Sequence, residues 1–363
     1  MTKLLLVCGA RPNFMKVAPI AEVCARRADA TSIIVHTGQH YDANMSRLFF
    51  DELALPEPDV NLEVGSASHA VQTAEIMKRF EPVCLETRPD WVVVVGDVNS
   101  TIACALVARK LGVPVAHVEA GLRSFDRAMP EEINRVLTDT ISDMLFVTEE
   151  SGMRNLSNEG IPEDRIRYVG NVMIDTLLRH RERADRSRIR SKLGVEKRGY
   201  ALVTLHRPSN VDDADTFNGI LDALERICAD SAVVFPMHPR TRARVEQLGF
   251  TDRIGGIENL RIIEPVGYLD FVKLMADAMV VLTDSGGIQE ETTILGVPCL
   301  TLRENTERPV TVTHGTNRLT GPATKNILAA YDAVRAAPPA AVAAPHLWDG
   351  KAAERIVDAL LGH

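Results

Sequence analysis

Lys3-Leu4-Leu5-Leu6-Val7-Cys8-Gly9-Ala10-Arg11-Pro12 begins with an apolar run that stops abruptly at Gly9. A strand with one wet face alternates apolar and polar residues, whereas a parallel strand covered on both faces reads as a continuous run. Leu4–Cys8 is continuous, and the turn residues behind it mark the end of a buried strand. The run is too short for the core of a signal peptide. The same signature recurs at 31–36, 91–95, 113–118, 144–148, 200–205, 231–236, 279–283 and 297–302, all rich in Val, Ile and Leu. Helix-periodic segments separate these runs, which predicts βαβ units and a doubly wound α/β architecture.

At 363 residues the chain exceeds what one hydrophobic core usually supports, so two such domains are expected. Lys110-Leu111-Gly112-Val113-Pro114-Val115 is echoed by Ile294-Leu295-Gly296-Val297-Pro298-Cys299. In both, a helix ends on Gly and the chain enters a strand through Val-Pro. Shared punctuation accounts for the echo as well as duplication does. The boundary is expected between Val169-Gly170-Asn171 and the charged run Arg179–Arg190, which reads as a solvated helix face. The first domain is placed at 1–170 and the second at 171–349. An Ala/Pro-rich linker through Pro345 leads to a terminal segment, 350–363, whose amphipathic helix packs back to complete the first domain.

Hydrophobic content of 45% and charged content of 25% are ordinary for a soluble domain. The net charge of −8 argues against nucleic acid or an anionic membrane as partner, while leaving room for a basic pocket. Cys8, Cys24, Cys84, Cys104, Cys228 and Cys299 are scattered, as buried small hydrophobes in a reducing compartment are. No stretch approaches a membrane span, and a cytoplasmic protein is expected.

In open α/β sheets ligands bind beyond the carboxyl ends of strands, so the polar residues following each run are the candidates. After the first come Arg11 and Lys16, two cations suited to a diphosphate, although this segment alone favours a tight turn with solvated cations. Run 91–95 leads to Gly96-Asp97, where Asp97 either N-caps the next helix or serves chemistry. Run 113–118 leads to Glu119, a carboxylate at a strand tip with no obvious cap to make. Pro130-Glu131-Glu132 opens a helix, and acids there suit its dipole without any catalysis. Together these put three carboxylates on neighbouring loops, the grouping that acid/base chemistry uses. In the second half His206 stands at a strand tip, and Asp284-Ser285-Gly286-Gly287 opens a helix whose amides suit a phosphate. Glu291, one turn in, could accept two ribose hydroxyls. Asp213-Ala214-Asp215 resembles a metal-binding pair but lies in an acidic stretch that reads as a helix start.

Six stretches, in order and at matching spacing, resemble the non-hydrolysing UDP-N-acetylglucosamine 2-epimerases over nearly the whole chain. They are Gly9–Pro12, Gly96-Asp97, His117–Arg123, Pro130–Arg135, Asp284–Glu291 and Thr306-Glu307-Arg308-Pro309. The resemblance implies two Rossmann-like doubly wound domains facing a cleft, the glycosyltransferase-B-like fold, in a homodimer that needs neither cofactor nor metal. By position it implies that Arg11, Lys16, His206, Ser285, Gly286, Gly287, Glu291 and Arg308 contact UDP, with Phe271 near the uracil. It makes Asp97, Glu119 and Glu131 the catalytic carboxylates, with His206 assisting departure of the diphosphate.

The implied activity is inversion of C2 in a UDP-linked N-acetylhexosamine, with a UDP-linked diacetamido uronic acid as the alternative substrate. A hydrolysing relative, a transferase of the same fold and a catalytically dead nucleotide-sugar sensor are further alternatives. The retained carboxylate trio speaks against the last two. The chain departs from the pattern at Asn13, where an acidic residue is usual, and at Pro208-Ser209-Asn210. Gln39, His40, Arg207 and His238 match positions linked to activation by a second substrate molecule, but Gly65–Val71 lacks the accompanying Arg-Gln pair. Weak or absent substrate activation is expected.

Overall fold

The structure is a computed structural model that describes residues 1–38, 57–337 and 343–362, with the side chain of Arg11 outside it. The described chain divides into two compact units, Met1–Arg179 with His346–His363, and His180–Pro345.

The first unit contains β1 (Thr2–Cys8), α1 (Arg11–Ala25), β2 (Ala30–His36), β3 (Val60–Asn61), α2 (His69–Thr87), β4 (Trp91–Val95) and α3 (Asn99–Lys110). It continues through β5 (Val115–Ala120), α4 (Pro130–Ile141), β6 (Met144–Val147), α5 (Glu150–Asn158), β7 (Ile166–Tyr168) and α6 (Val172–Asp185), within which the chain passes to the second unit. The seven strands are parallel, in the order β3-β2-β1-β4-β5-β6-β7. Leu5 and Val7 join Val92 and Val94, Ile76 and Phe80 of α2 and Cys104 of α3 in one core cluster. Leu4, Leu6 and Val93 point to the opposite face and are just as buried. With each hidden Val or Leu contributing about 1.5–3 kcal/mol, burial on both faces is why these runs are continuous.

The second unit carries α7 (Ile189–Leu193), β8 (Tyr200–Thr204), α8 (Pro208–Val211), α9 (Ala214–Cys228), β9 (Ala232–Pro236), α10 (Pro239–Gln247), α11 (Thr251–Gly256) and β10 (Leu260–Ile263). There follow α12 (Tyr268–Asp277), β11 (Val280–Thr283), α13 (Gly286–Leu295), β12 (Cys299–Thr301), α14 (Val310–Thr313), β13 (Asn317–Leu319) and α15 (Thr324–Ala336). Its six parallel strands run β10-β9-β8-β11-β12-β13, the same winding as the first six of the other sheet. The Gly-Val-Pro echo lands on equivalent places, entering β5 in one sheet and β12 in the other.

The chain leaves the first unit inside α6 at Arg179 rather than at residue 170, because the first half of the helix is tied to the first unit, with the Thr176 hydroxyl donating to the Met15 carbonyl at 2.6 Å. It returns at His346, where α16 (Ala352–Leu361) lays Ile356, Val357 and Leu360 into the core and packs on α1. Asp175 of α6 caps this helix, accepting from the amides of Ala352 at 3.1 Å and Ala353 at 2.7 Å. Trp348 Nε1 donates to the Thr148 carbonyl at 2.8 Å. All six cysteines are buried and free. Among the described residues no helix is long and apolar enough to cross a membrane.

Asp213 is the N-cap of α9, accepting from the Thr216 amide at 2.8 Å. The fourth strand of the sequence reading, 113–118, is displaced: β5 begins at Val115, past Pro114, and continues to Ala120. A shift in its register with β6 falls between Val118 and Ala120, with Glu119 in the left-handed region at φ 73°.

Candidate active site

Each sheet changes direction of winding once, between β1 and β4 and between β8 and β11. Loops diverge there and leave room for a ligand. The polar tips singled out in the sequence lie at these two points and on the strands beside them.

At the first, Asn13 organises the turn after β1. Its Oδ1 accepts from the amides of Gly9 at 3.2 Å and Ala10 at 2.9 Å, and its Nδ2 donates to the Val95 carbonyl of β4 at 3.3 Å. An acid in this place could accept but not donate, so the departure at Asn13 adds a tie between the two strand ends. Arg11 is the first residue of α1. Lys16 is buried and ion-paired with Glu119, itself 6% exposed, so this cation is already engaged by a carboxylate.

Asp97 does not cap α3. The N-cap position is Val98, without a side-chain bond, and Asp97 instead pairs with Arg135 of α4 at 2.6 Å. Asn134 Nδ2 donates to the Asp97 carbonyl at 2.9 Å. Arg135 NH1 holds Glu132 at 2.7 Å, while Glu132 also accepts from the amides of Ser124 and Phe125, both at 2.9 Å. Burial pushes the Glu132 carboxyl up, but the Ser124 and Phe125 amides and the Arg135 guanidinium outweigh it and hold it below the usual range. Glu131 is half-buried in the first turn of α4, with no ion-pair partner among the described residues. Asp97, Glu119, Lys16 and the first turn of α4 are therefore gathered at one end of the sheet.

In the second unit Ser285 is the N-cap of α13 and makes no side-chain cap bond, so the first amides of the helix keep their donors and the dipole. Arg308 Nε donates to Glu290 Oε1 at 2.6 Å, and its guanidinium lies against Gly286. A Cβ at Gly286 would stand 2.5 Å from Arg308 NH1, so a side chain there would push the guanidinium from its place beside the helix terminus. His206 Nδ1 meets Asp284 Oδ1 at 3.0 Å. Asp284 also accepts from the amides of His206 at 3.0 Å and Arg207 at 2.9 Å, and from Asn210 Nδ2 at 3.2 Å. Burial raises the Asp284 carboxyl, and the His206 ring and these amides more than offset it, leaving it below its ordinary value. Glu291 is buried and accepts from the Tyr268 hydroxyl at 2.9 Å, and burial beside Glu290 pushes its carboxyl up to about 7. Phe271 is half-buried in the first turn of α12. His238 N-caps α10 through Nδ1, at 3.2 Å from the Arg240 amide. Gln39 and His40 lie outside the described residues.

Sequence reasoning named Glu132 and Asp284 only within motifs and gave no role to Arg135 or Tyr268, the residues that hold these tips with them. For Glu132 and Arg135 the signal was the polar face of α4, where the two follow at an interval of three. Among the described residues no group of three or more His, Cys, Asp or Glu is arranged to hold a metal ion.

Two doubly wound units with polar groups gathered at their switch points define a glycosyltransferase-B-like α/β enzyme. The family model for UDP-N-acetylglucosamine 2-epimerase matches residues 22–361. A UDP-N-acetylglucosamine 2-epimerase homolog of Methanococcus maripaludis is 47% identical over 328 residues, 90% of either chain. The UDP-2,3-diacetamido-2,3-dideoxy-D-glucuronate 2-epimerase of Pseudomonas aeruginosa is 44% identical over 325 residues, 88% of this chain and 89% of that one. The crystal structure of Methanocaldococcus jannaschii UDP-GlcNAc 2-epimerase in complex with UDP-GlcNAc and UDP superposes with a TM-score of 0.93, at 44% identity and full coverage of both chains. The chain belongs to the UDP-N-acetylglucosamine 2-epimerase family, whose members are isomerases.

Proposed function

We propose that the protein interconverts UDP-N-acetylglucosamine and UDP-N-acetylmannosamine without hydrolysis, by eliminating UDP and adding it back. The observation that carries this is the cluster at the first switch point, where Glu119, on a left-handed backbone, meets Lys16 beside the Gly96-Asp97 turn. A non-glycine residue is kept in that region only when its surroundings enforce it, and such positions concentrate at functional sites.

The C2 proton of an acetamido sugar is not acidic, so a base alone cannot remove it. Breaking the C1–O bond first sends the electron pair to the UDP oxygen and leaves positive charge at C1. The C2 proton then passes to a carboxylate, giving 2-acetamidoglucal and UDP. Delivery of a proton to the other face of C2, with the UDP oxygen re-forming its bond to C1, completes the inversion. Asp97, Glu119 and Glu131 are the carboxylates that carry these protons. The departing diphosphate is stabilised by Arg308, the amides following Ser285 and His206, with Arg11 and Lys16 as further cations. Glu291 takes the ribose hydroxyls and Phe271 lies by the uracil. Protons and electrons balance with no cofactor or metal in the scheme.

The 44% identity to the Pseudomonas enzyme favours a second substrate, a UDP-linked diacetamido uronic acid, for the same chemistry. Proton NMR of separate incubations with the two UDP-sugars distinguishes them. The proposal expects UDP-N-acetylmannosamine from UDP-N-acetylglucosamine. Turnover of the uronate alone supports the second reading, and free N-acetylmannosamine with UDP overturns the non-hydrolysing one.

A further inference from the structure

His117, in the middle of β5, is fully buried, as is its partner Asp139 of α4. His117 Nδ1 lies 2.6 Å from Asp139 Oδ1, and Nε2 lies 2.8 Å from the carbonyl oxygen of Gly96. A carbonyl oxygen only accepts, so Nε2 carries a hydrogen. Asp139 Oδ2 accepts from the Gly121 amide at 3.1 Å and pairs with Arg123 NH2 at 2.7 Å, both obligate donors. With two obligate donors on Oδ2, one of them the Arg123 guanidinium, Asp139 stands as an ionised acceptor. An ionised carboxylate accepts only, so Nδ1 donates as well. Both ring nitrogens are donors, which only the imidazolium provides. Arg123 also pairs with Glu159, at 2.7 Å, so two cations and two anions balance within the cluster.

The placement of this pair gives it a task. The two oxygens of Asp139 grip β5 at His117 and at Gly121, on either side of Glu119. Between these grips the register with β6 slips and Glu119 takes its left-handed φ of 73°. Strain of that kind persists where the surroundings over-determine it, and the double grip does so. Through Nε2 the same ring holds the Gly96 carbonyl, one residue before Asp97. Of the groups on the elements packed here, Asp139 comes from α4, Arg123 from the loop behind β5 and Glu159 from the end of α5.

We infer that His117 is a positioning residue, an imidazolium locked to Asp139 that fixes the Glu119 bulge and the Asp97 turn relative to each other. The catalytic consequence rests on the proposal that Asp97 and Glu119 handle the C2 proton, whereas the charge state of the ring does not.

The test uses the full-length protein labelled with 15N in its histidine rings. At mildly alkaline pH, where exposed histidines have one bare ring nitrogen, NMR should show one ring with both nitrogens protonated. That signal should vanish in His117→Gln and lose its Nδ1 hydrogen in the isosteric Asp139→Asn. A bare nitrogen on His117 in the unmodified protein overturns the inference whether or not any variant folds. In steady-state kinetics His117→Gln and Asp139→Asn should lower kcat about 10²-fold, the cost of misplacing reacting groups by about 1 Å, with KM and UDP affinity unchanged. An unchanged kcat in a folded variant removes the positioning role. An unmodified protein that fails to turn over UDP-sugars refutes the proposed function instead, and the NMR result still stands for the ring.

Discussion

Replacing Glu291 by Gln should stabilise the protein in a strictly pH-dependent way. Glu291 is 4% exposed on α13, and burial, reinforced by Glu290, lifts its carboxyl from an ordinary 4.5 to about 7, although the Tyr268 hydroxyl opposes the shift. A raised carboxyl pKa means that the folded state holds its proton more tightly than the unfolded chain does. The destabilisation is therefore absent below the unfolded value, grows as pH rises from 4.5 to about 7, and is complete above that. Set against the ordinary value at 1.36 kcal/mol per pH unit, the full cost is about 3 kcal/mol. By the linkage relation about three quarters of it appears between pH ~5 and pH ~8. Gln keeps the acceptor for Tyr268 and carries no charge, so the variant should exceed the parent by less than about 1 kcal/mol near pH 5 and by about 3 kcal/mol near pH 8. At about 2–4 °C per kcal/mol for a unit of this size, the thermal midpoint at pH ~8 should rise by roughly 5 °C or more. Differential scanning calorimetry at both pH values checks this. A gain of equal size at the two pH values, or no gain at either, refutes the argument that buried charge is what Glu291 costs.

Three further substitutions probe the two switch points. Glu119→Gln should lower kcat by at least about 10²-fold while leaving UDP affinity intact by titration calorimetry, and near-parental turnover would remove this carboxylate from the chemistry. Arg308→Ala deletes the guanidinium packed against Gly286 at the start of α13. Losing a charge-assisted contact worth about 1.5–3 kcal/mol should weaken UDP binding about 10- to 100-fold, and unchanged affinity would refute its place at the diphosphate. Gly121→Ala forces a side chain onto φ +79° and sets its Cβ 2.5 Å from the Gly152 carbonyl oxygen. A loss of at least about 2 kcal/mol is expected in urea unfolding, and a smaller one would show that α5 yields without cost.

The strands that sequence reveals and those it hides divide by position in the sheet. Central strands such as β1, β4, β8 and β11 are covered on both faces and so carry continuous apolar runs. The strands without a clear run, β3, β7, β10 and β13, are the four sheet edges. They are two to four residues long and contribute polar residues such as Asn61, Arg167 and Arg261. Short, polar edges protect a sheet against further pairing, and the same property removes their pattern. The site divides in a similar way. Asp97, Glu119, His206 and Ser285 stand out because they follow apolar runs. Asp139, Arg135 and Tyr268 lie in helices, where a buried polar side chain reads like a solvated one until its partner is known. His117 was visible only as a motif letter, since nothing local distinguishes a ring facing two acceptors from a core histidine.

In the proposed reaction the C2 proton leaves the sugar, passes through carboxylates that exchange with water, and returns while UDP stays bound. Incubation of the protein with UDP-N-acetylglucosamine in deuterated water, followed by proton NMR, tests this. A mixture of UDP-linked gluco and manno sugars with deuterium at C2 in both is expected. Epimer that keeps its original C2 proton, or free N-acetylmannosamine with UDP, would contradict it.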